Sequence, residues 1–254
     1  MKYSSKEMMV VALSREIEDK RAYIVGTGLP LISATLAKNT HAPDAVLLFE
    51  TGLFEGNPQE VPTSVSDLRV CFGASVLWPQ YRYFGFQALA ARRNIIAAGF
   101  LGGAQIDPYG NINSTSIGNY LSPTTRFTGS GGANGIATYC DTYIVMKHEK
   151  RRFVEHVDYI TSPGWINGTE GRKGRGLDSN KGPRAVITEL GVMRFGDDKR
   201  MYLDEYFEGV SPEYISDNTG FSLDISRAVK GQPPTESVLR ILREKVDPMG
   251  LMAR

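Results

Sequence analysis

A chain of 254 residues, 41% hydrophobic and 22% charged, can bury a sizeable core, and its length suits one large α/β domain running from 1 to 254. Its 29 basic and 28 acidic side chains leave a formal charge of +1, which excludes a disordered polyelectrolyte and gives no electrostatic reason to expect nucleic acid or an anionic membrane as partner. No apolar run approaches the roughly 18 residues of a membrane span, and Cys71 and Cys140 are too few for a disulfide framework or a Cys-rich zinc site.

The N-terminus, MKYSSKEMM, lacks the apolar stretch of a secretory leader, so a reduced, cytoplasmic enzyme is expected. Ser4-Ser5-Lys6-Glu7 has the spacing of a capping box, and Met8, Val11, Ala12 and Ile17 follow at helical intervals. Ala22 to Val25 is a short apolar strand that stops at Gly26-Thr27-Gly28. Pro30 fits the first turn of a helix reaching Lys38. Val46 to Phe49 is a second apolar strand, closed by Glu50-Thr51-Gly52. Helix, strand, glycine turn, helix, strand is the order of a βαβ unit whose strands are buried on both faces. Asn94 to Phe100 and Thr142 to Met146 are further strand-like runs. Ala185 to Glu189 and Val192 to Phe195 flank Gly191 as a hairpin. Ser162 to Pro183, rich in Gly, Asn, Lys and Arg, reads as a surface loop. Thr235 to Val246 closes the chain as an amphipathic helix with Val238, Leu239, Leu242 and Val246 on one face. The fold class expected is therefore α/β: a single domain with a mostly parallel sheet flanked by helices.

In such sheets ligands bind beyond the carboxyl ends of the strands, where three features fall. Gly26-Thr27-Gly28 begins a G-x-G-x-x-G fingerprint but places Leu31 at the sixth position, so it reads as a structural turn or an anion-cradling turn rather than a dinucleotide site. Glu50 is either a solvated strand-end residue or a carboxylate held between apolar strand and glycine turn, where lost hydration makes it a better nucleophile or base. Gly129-Ser130-Gly131-Gly132-Ala133-Asn134-Gly135 is either a flexible loop or a backbone nest that points several N–H groups at one oxyanion or phosphate. His41, His148 and His156 are scattered, with no triad order or HExxH helix, so neither a triad nor a zinc site is expected. Glu149 to Arg152 is a charge run of the kind found on solvated helix faces or subunit contacts. Asp107 to Asn111 is a tight turn.

Taken together the chain resembles the class I coenzyme A transferases. The likeness is carried by GTGLPLISATLAK (26–38), HAPDAVLLFETG (41–52), GGAQIDPYGNINSTSIG (102–118), RFTGSGGANGIAT (126–138), HEKRRF (148–153) and YITSPGWINGTEGR (159–172). The resemblance implies a β chain of a two-component enzyme with Glu50 as the acyl-accepting glutamate. The family motif there is Glu-Ser-Gly or Glu-Asn-Gly; here it is Glu-Thr-Gly, which keeps the hydroxyl and adds a methyl. It further implies that Gly129, Gly131, Gly132 and Ala133 form the family's GxGGA loop, which lies beside the glutamate and holds the thioester oxygen. Gly28, Gln105 and Asn113 either border the site or serve packing and turns.

The implied reaction moves CoA from an acyl-CoA such as acetyl-CoA to a carboxylic acid, a dicarboxylate such as glutaconate, through a glutamyl-CoA thioester. Coenzyme A thioester is then a substrate, with no permanently bound cofactor and no metal. An α subunit of similar fold is the implied partner and would supply most of the CoA pocket. A hydrolase using Glu50 as general base on water is the alternative on the same scaffold. A non-catalytic sugar-phosphate or effector-binding domain, which would use the glycine loops but not Glu50, is a third reading.

Overall fold

The computed structural model describes residues 2–253 apart from 57, 59, 63, 65 and 66. The chain forms two compact units, residues 1–100 with 233–254 and residues 101–232.

The first unit opens with α1 (Ser5–Arg15), capped as its sequence predicts: the Ser4 hydroxyl accepts the Glu7 N–H (3.1 Å) and the Glu7 carboxylate accepts the Ser4 N–H (2.8 Å). Next come β1 (Ala22–Ile24), α2 (Leu29–Lys38) and β2 (Val46–Phe49). β1 is parallel to β2, the expected βαβ unit, and both are buried almost throughout. Two short antiparallel strands, β3 (Leu53–Phe54) and β4 (Val76–Leu77), extend the sheet beyond β2. After β4 the chain turns through α3 (Gln80–Arg92) into β5 (Ile96–Leu101), parallel to β1 on its other side, giving the order β5-β1-β2-β3-β4 within this unit.

The second unit starts with two small hairpins, β6 (Gln105–Ile106) with β7 (Ile112–Asn113), and β8 (Ser116–Ile117) with β9 (Thr125–Arg126). The first closes over the Asp107–Asn111 turn, where the Asp107 carboxylate accepts the Tyr109 and Asn111 N–H groups (3.0 Å each). The glycine loop leads into α4 (Ala133–Tyr139) and β10 (Asp141–Val145). β10 is parallel to β11 (Pro183–Ile187), which forms the expected late hairpin with β12 (Gly191–Phe195). β13 (Met201–Tyr206), α5 (Pro212–Asp217) and β14 (Val229–Lys230) complete the unit in the order β14-β13-β12-β11-β10.

The chain then returns to the first unit with α6 (Glu236–Ile241), N-capped by the Thr235 hydroxyl. The amphipathic helix predicted to run to Val246 changes character at Leu242. The turn Leu242–Val246 is a π turn, closed by the Asp247 N–H bonding the Leu242 carbonyl at 2.8 Å. That wider turn carries Leu242 and Val246 into a core with Val10 and Val11 of α1 and Ile32 and Leu36 of α2.

Two expectations need correction. The Ser162 to Pro183 segment is not merely a surface loop, because Trp165 and Arg172 are buried in it. Arg172 donates to the carbonyls of Ala137, Thr138, Pro163, Gly164 and Asp178 at 2.8–3.3 Å, so an arginine that looks solvent-bound in sequence is consumed by backbone acceptors. The Glu149–Arg152 run is no helix face: Glu149 gathers Lys147, Arg151 and Arg152 into a local ion-pair cluster at the surface. Among the described residues no helix is long and apolar enough to cross a membrane.

Candidate active site

Glu50 follows the last residue of β2 and occupies the first position of a three-residue hairpin loop, since Phe49 pairs with Leu53. Such loops end in a residue of positive φ, here Gly52 at +94°. The turn is tied down on both sides, by the Gly52 N–H to the Phe49 carbonyl and by the Trp78 N–H to the Gly52 carbonyl, each 2.9 Å. Glu50 is half-buried, and its carboxylate has no hydrogen bond or ion pair among the described residues. Desolvation alone acts on it and raises its pKa above the ordinary carboxylate value. Its neighbour adds a second unmatched group: the Thr51 hydroxyl is buried and has no hydrogen-bond partner among the described residues. Gly28, also singled out, is the N-cap of α2 beyond the carboxyl end of β1 (φ +83°), so it and Glu50 follow neighbouring parallel strands.

The glycine loop lies in the second unit. Gly129 is bonded in both directions to Ser114: its N–H donates to the Ser114 carbonyl (3.0 Å) and its carbonyl accepts the Ser114 hydroxyl (3.1 Å). Gly132 is the N-cap of α4, and the Ala133 N–H is spent on the Ser130 carbonyl at 2.9 Å. The N–H groups of Gly131 and Gly132 have no acceptor among the described residues. A side chain built at Gly129 or Gly131 would meet nothing within 4 Å, so open space lies before these two residues.

Gln105 and Asn113 are brought together, but their side chains face each other rather than open space. Both are buried, and Asn113 Nδ2 donates to Gln105 Oε1 at 2.7 Å. The Gln105 amide also binds Asp158, and Asn113 holds the backbone of Thr115 and Ser116. Their amide groups are therefore spent within the scaffold, the packing and turn role. His148 is likewise structural: it is buried, stacks on Phe153 with ring centroids 4.2 Å apart, and shares a 3.0 Å hydrogen bond with the Thr219 hydroxyl. Burial depresses its pKa to about 4. Burial also pushes the Cys140 thiol up to about 12, outside the range of a reactive thiolate. Among the described residues no group of three or more His, Cys, Asp or Glu could hold a metal ion.

Sequence reasoning passed over Arg172, Thr161 and Ser114. Arg172 binds the last carbonyls of the helix that the glycine loop starts, a favourable place for a cation. Its only sequence signal is its inclusion in the 159–172 segment, since nothing in residue spacing marks a guanidinium that will meet carbonyls instead of carboxylates.

Residues 6–218 match the coenzyme A transferase family. The B-subunit of glutaconate CoA-transferase from Acidaminococcus fermentans is 50% identical over 250 residues, covering 97% of this chain and 93% of that protein. The B-subunit of 3-oxoadipate CoA-transferase from Pseudomonas knackmussii is 37% identical over 244 residues, 95% of this chain and 92% of that one. The crystal structure of glutaconate coenzyme A-transferase from A. fermentans matches with a TM-score of 0.95 at 48% identity, over 99% of this chain and 98% of its own. The α/β arrangement expected from the strand and helix order is thus the one observed, and the chain belongs to the coenzyme A transferase family.

Proposed function

We propose that this chain is the catalytic β component of a two-component CoA-transferase, working with an α subunit of similar fold. It would move CoA from an acyl-CoA such as acetyl-CoA to a short dicarboxylic acid such as glutaconate. The observation that carries the reading is the state of Glu50: a half-buried carboxylate at the end of a parallel strand, held in a rigid turn, with no countercharge or donor among the described residues to quench it. The substrate class and the partner are supported by the relatives named as subunits of CoA-transferases.

In this reading a Glu50 carboxylate oxygen attacks the thioester carbonyl carbon, and the C–S bond breaks to give a mixed anhydride and CoA thiolate. The thiolate then adds to the glutamyl carbonyl, and the anhydride C–O bond breaks, releasing the first acid as carboxylate and leaving a Glu50–CoA thioester. The second acid's carboxylate attacks that thioester, and the same two steps run in reverse to free Glu50 and the new acyl-CoA. This is covalent, ping-pong catalysis. Each addition develops an oxyanion, and the unbonded N–H groups of Gly131 and Gly132 are our candidates for stabilising it, one such donor being worth ~10²–10³ in rate. Water has to be excluded, because anhydride and thioester would both hydrolyse. The chemistry calls on coenzyme A as substrate and on no bound cofactor or metal.

The test is Glu50→Gln in the reconstituted complex, which keeps size and removes the nucleophile. CoA transfer should fall by roughly 10⁴-fold or more. Mass analysis of the wild-type complex after acyl-CoA addition should show a hydroxylamine-sensitive CoA adduct on Glu50. Normal transfer by the variant would overturn the assignment. An active wild-type enzyme that releases free acid and forms no adduct would instead favour the hydrolase, which the two transferase relatives disfavour.

A further inference from the structure

Both ends of the glycine loop lead to one residue outside it, the entrance through Ser114 and the exit directly. Thr161 is 5% exposed, and its own N–H is fixed on the Ile112 carbonyl at 2.9 Å. Its hydroxyl accepts the Ser114 N–H at 2.9 Å and shares a 2.7 Å hydrogen bond with the Thr115 hydroxyl. Ser114 is the residue bonded twice to Gly129, at the loop's entrance. At the exit, Asn134 Nδ2 donates to the Thr161 carbonyl at 2.8 Å. Between these anchors the Gly131 and Gly132 amides have no acceptor among the described residues, and open space lies before Gly131.

This arrangement matters because glycine backbone does not hold its own conformation. Gly129 and Gly131 sit at φ +89° and +50° with no packing neighbour where a side chain would be, so steric contact does not fix the direction of the N–H groups. Beside the Ser130–Ala133 turn bond and the Ser130 hydroxyl bond to the Gly131 carbonyl, hydrogen bonds at the two ends restrict it. Thr161 is the joint between the two: its hydroxyl holds the Ser114–Gly129 clamp and its carbonyl holds the Asn134 anchor.

We propose that Thr161 is a positioning residue for catalysis: its hydroxyl sets the aim of the glycine-loop amides without touching substrate. The inference rests on the reading above, in which those amides stabilise the oxyanion. An oxyanion donor acts on the transition state, so mis-aiming it lowers kcat and leaves KM nearly unchanged.

The experiment compares Thr161→Val, which keeps the shape and removes the hydroxyl, with Thr161→Ser, which keeps the hydroxyl and removes the methyl. Both are assayed in the complex with the α subunit. Thr161→Val should lower kcat roughly 10- to 100-fold with KM within about twofold, in line with the cost of small displacements at a reacting centre. Amide hydrogen exchange across 129–133 should quicken in the same variant. Thr161→Ser should restore both to near wild type. Equal kcat in Thr161→Val and wild type, or an equal loss in Thr161→Ser, would overturn the proposal. Should Thr161→Val fail to fold, Ser114→Ala, which removes the hydroxyl bond to Gly129, carries the same readout. Glu50→Gln in the same assay separates the layers. If it is dead while Thr161→Val is normal, only the positioning role falls; if Glu50→Gln still transfers CoA, both fall.

Discussion

The turn that carries Glu50 and the loop at 129–135 use glycine for different physical reasons. At Gly52 a Cβ would stand 2.0 Å from the Trp78 carbonyl oxygen, and the backbone is at φ +94°, so both space and conformation demand glycine. That close approach lets Trp78, the residue after β4, hold the backbone of the turn. At Gly131 only the conformation demands it, φ +50° with nothing within 4 Å. The first glycine is a packing device that fixes the backbone of the turn carrying Glu50; the second leaves a backbone uncovered. A reacting carboxylate needs the former, because it carries the bond that forms. A cradle for transient negative charge needs the latter, because its donors have to face a ligand rather than a neighbour.

The largest expected effect tests how the loop region is held from behind. Arg172→Met removes the guanidinium that serves five backbone carbonyls, two of them, Ala137 and Thr138, at the end of α4. Leaving two or three of these buried acceptors unpaired should cost about 3–5 kcal/mol in urea unfolding. A loss under about 1 kcal/mol would show that water replaces the side chain freely and that the anchor is dispensable. Next in size is the contrast between the glycines themselves. Gly52→Ala must push Trp78 away and should displace Glu50, costing roughly 10²-fold in transfer. Gly131→Ala meets no atom and should lower stability by only about 1 kcal/mol, the strain of a left-handed alanine. Equal stability losses at the two positions would erase the distinction.

The amphipathic and capping signals carried much of the fold because they are local. Ser4 with Glu7, Pro30 in the first turn of α2, and the two apolar runs ending at Val25 and Phe49 each announce themselves within a few residues, and the structure contains them. The stretch from Leu53 to Arg93 is not legible in the same way. β3 and β4 are two residues each, too short for alternation to show, and exist because β2 offers them an edge. α3 buries Tyr83, Gln87, Ala90 and Ala91 at helical spacing, but it exposes Tyr81 and Leu89 and has no side-chain cap, so a polar-versus-apolar reading finds no stripe. At the candidate site, Glu50 stands out because an acid ends an apolar strand. The Thr51 hydroxyl and the Thr161 joint do not, since whether a hydroxyl is paired depends on residues far along the chain.

The response to pH sharpens the same comparison through its sign. Glu50 is half-buried without partners among the described residues and its pKa is raised, so any stability it contributes is present at low pH and is lost as pH rises through the carboxylate range. His148, buried with partners in the second unit, has its pKa depressed from 6.5 to about 4, so its contribution is present above pH 6.5 and is lost as pH falls toward 4. At pH 5 that loss is on the order of 2 kcal/mol, because the unfolded imidazole is by then almost wholly protonated and the folded one is not. Asp107, raised to about 6, opposes it, favouring the fold at low pH and losing that advantage as pH climbs. Urea midpoints at pH 7, 6 and 5 should therefore fall more steeply with acid in wild type than in His148→Gln, where Asp107 and Glu50 act without their counterweight. Parallel slopes in the two proteins would mean that the acid response comes from neither the histidine nor its packing on Phe153, and the sign assigned to His148, opposite to that of Glu50 and Asp107, would fail.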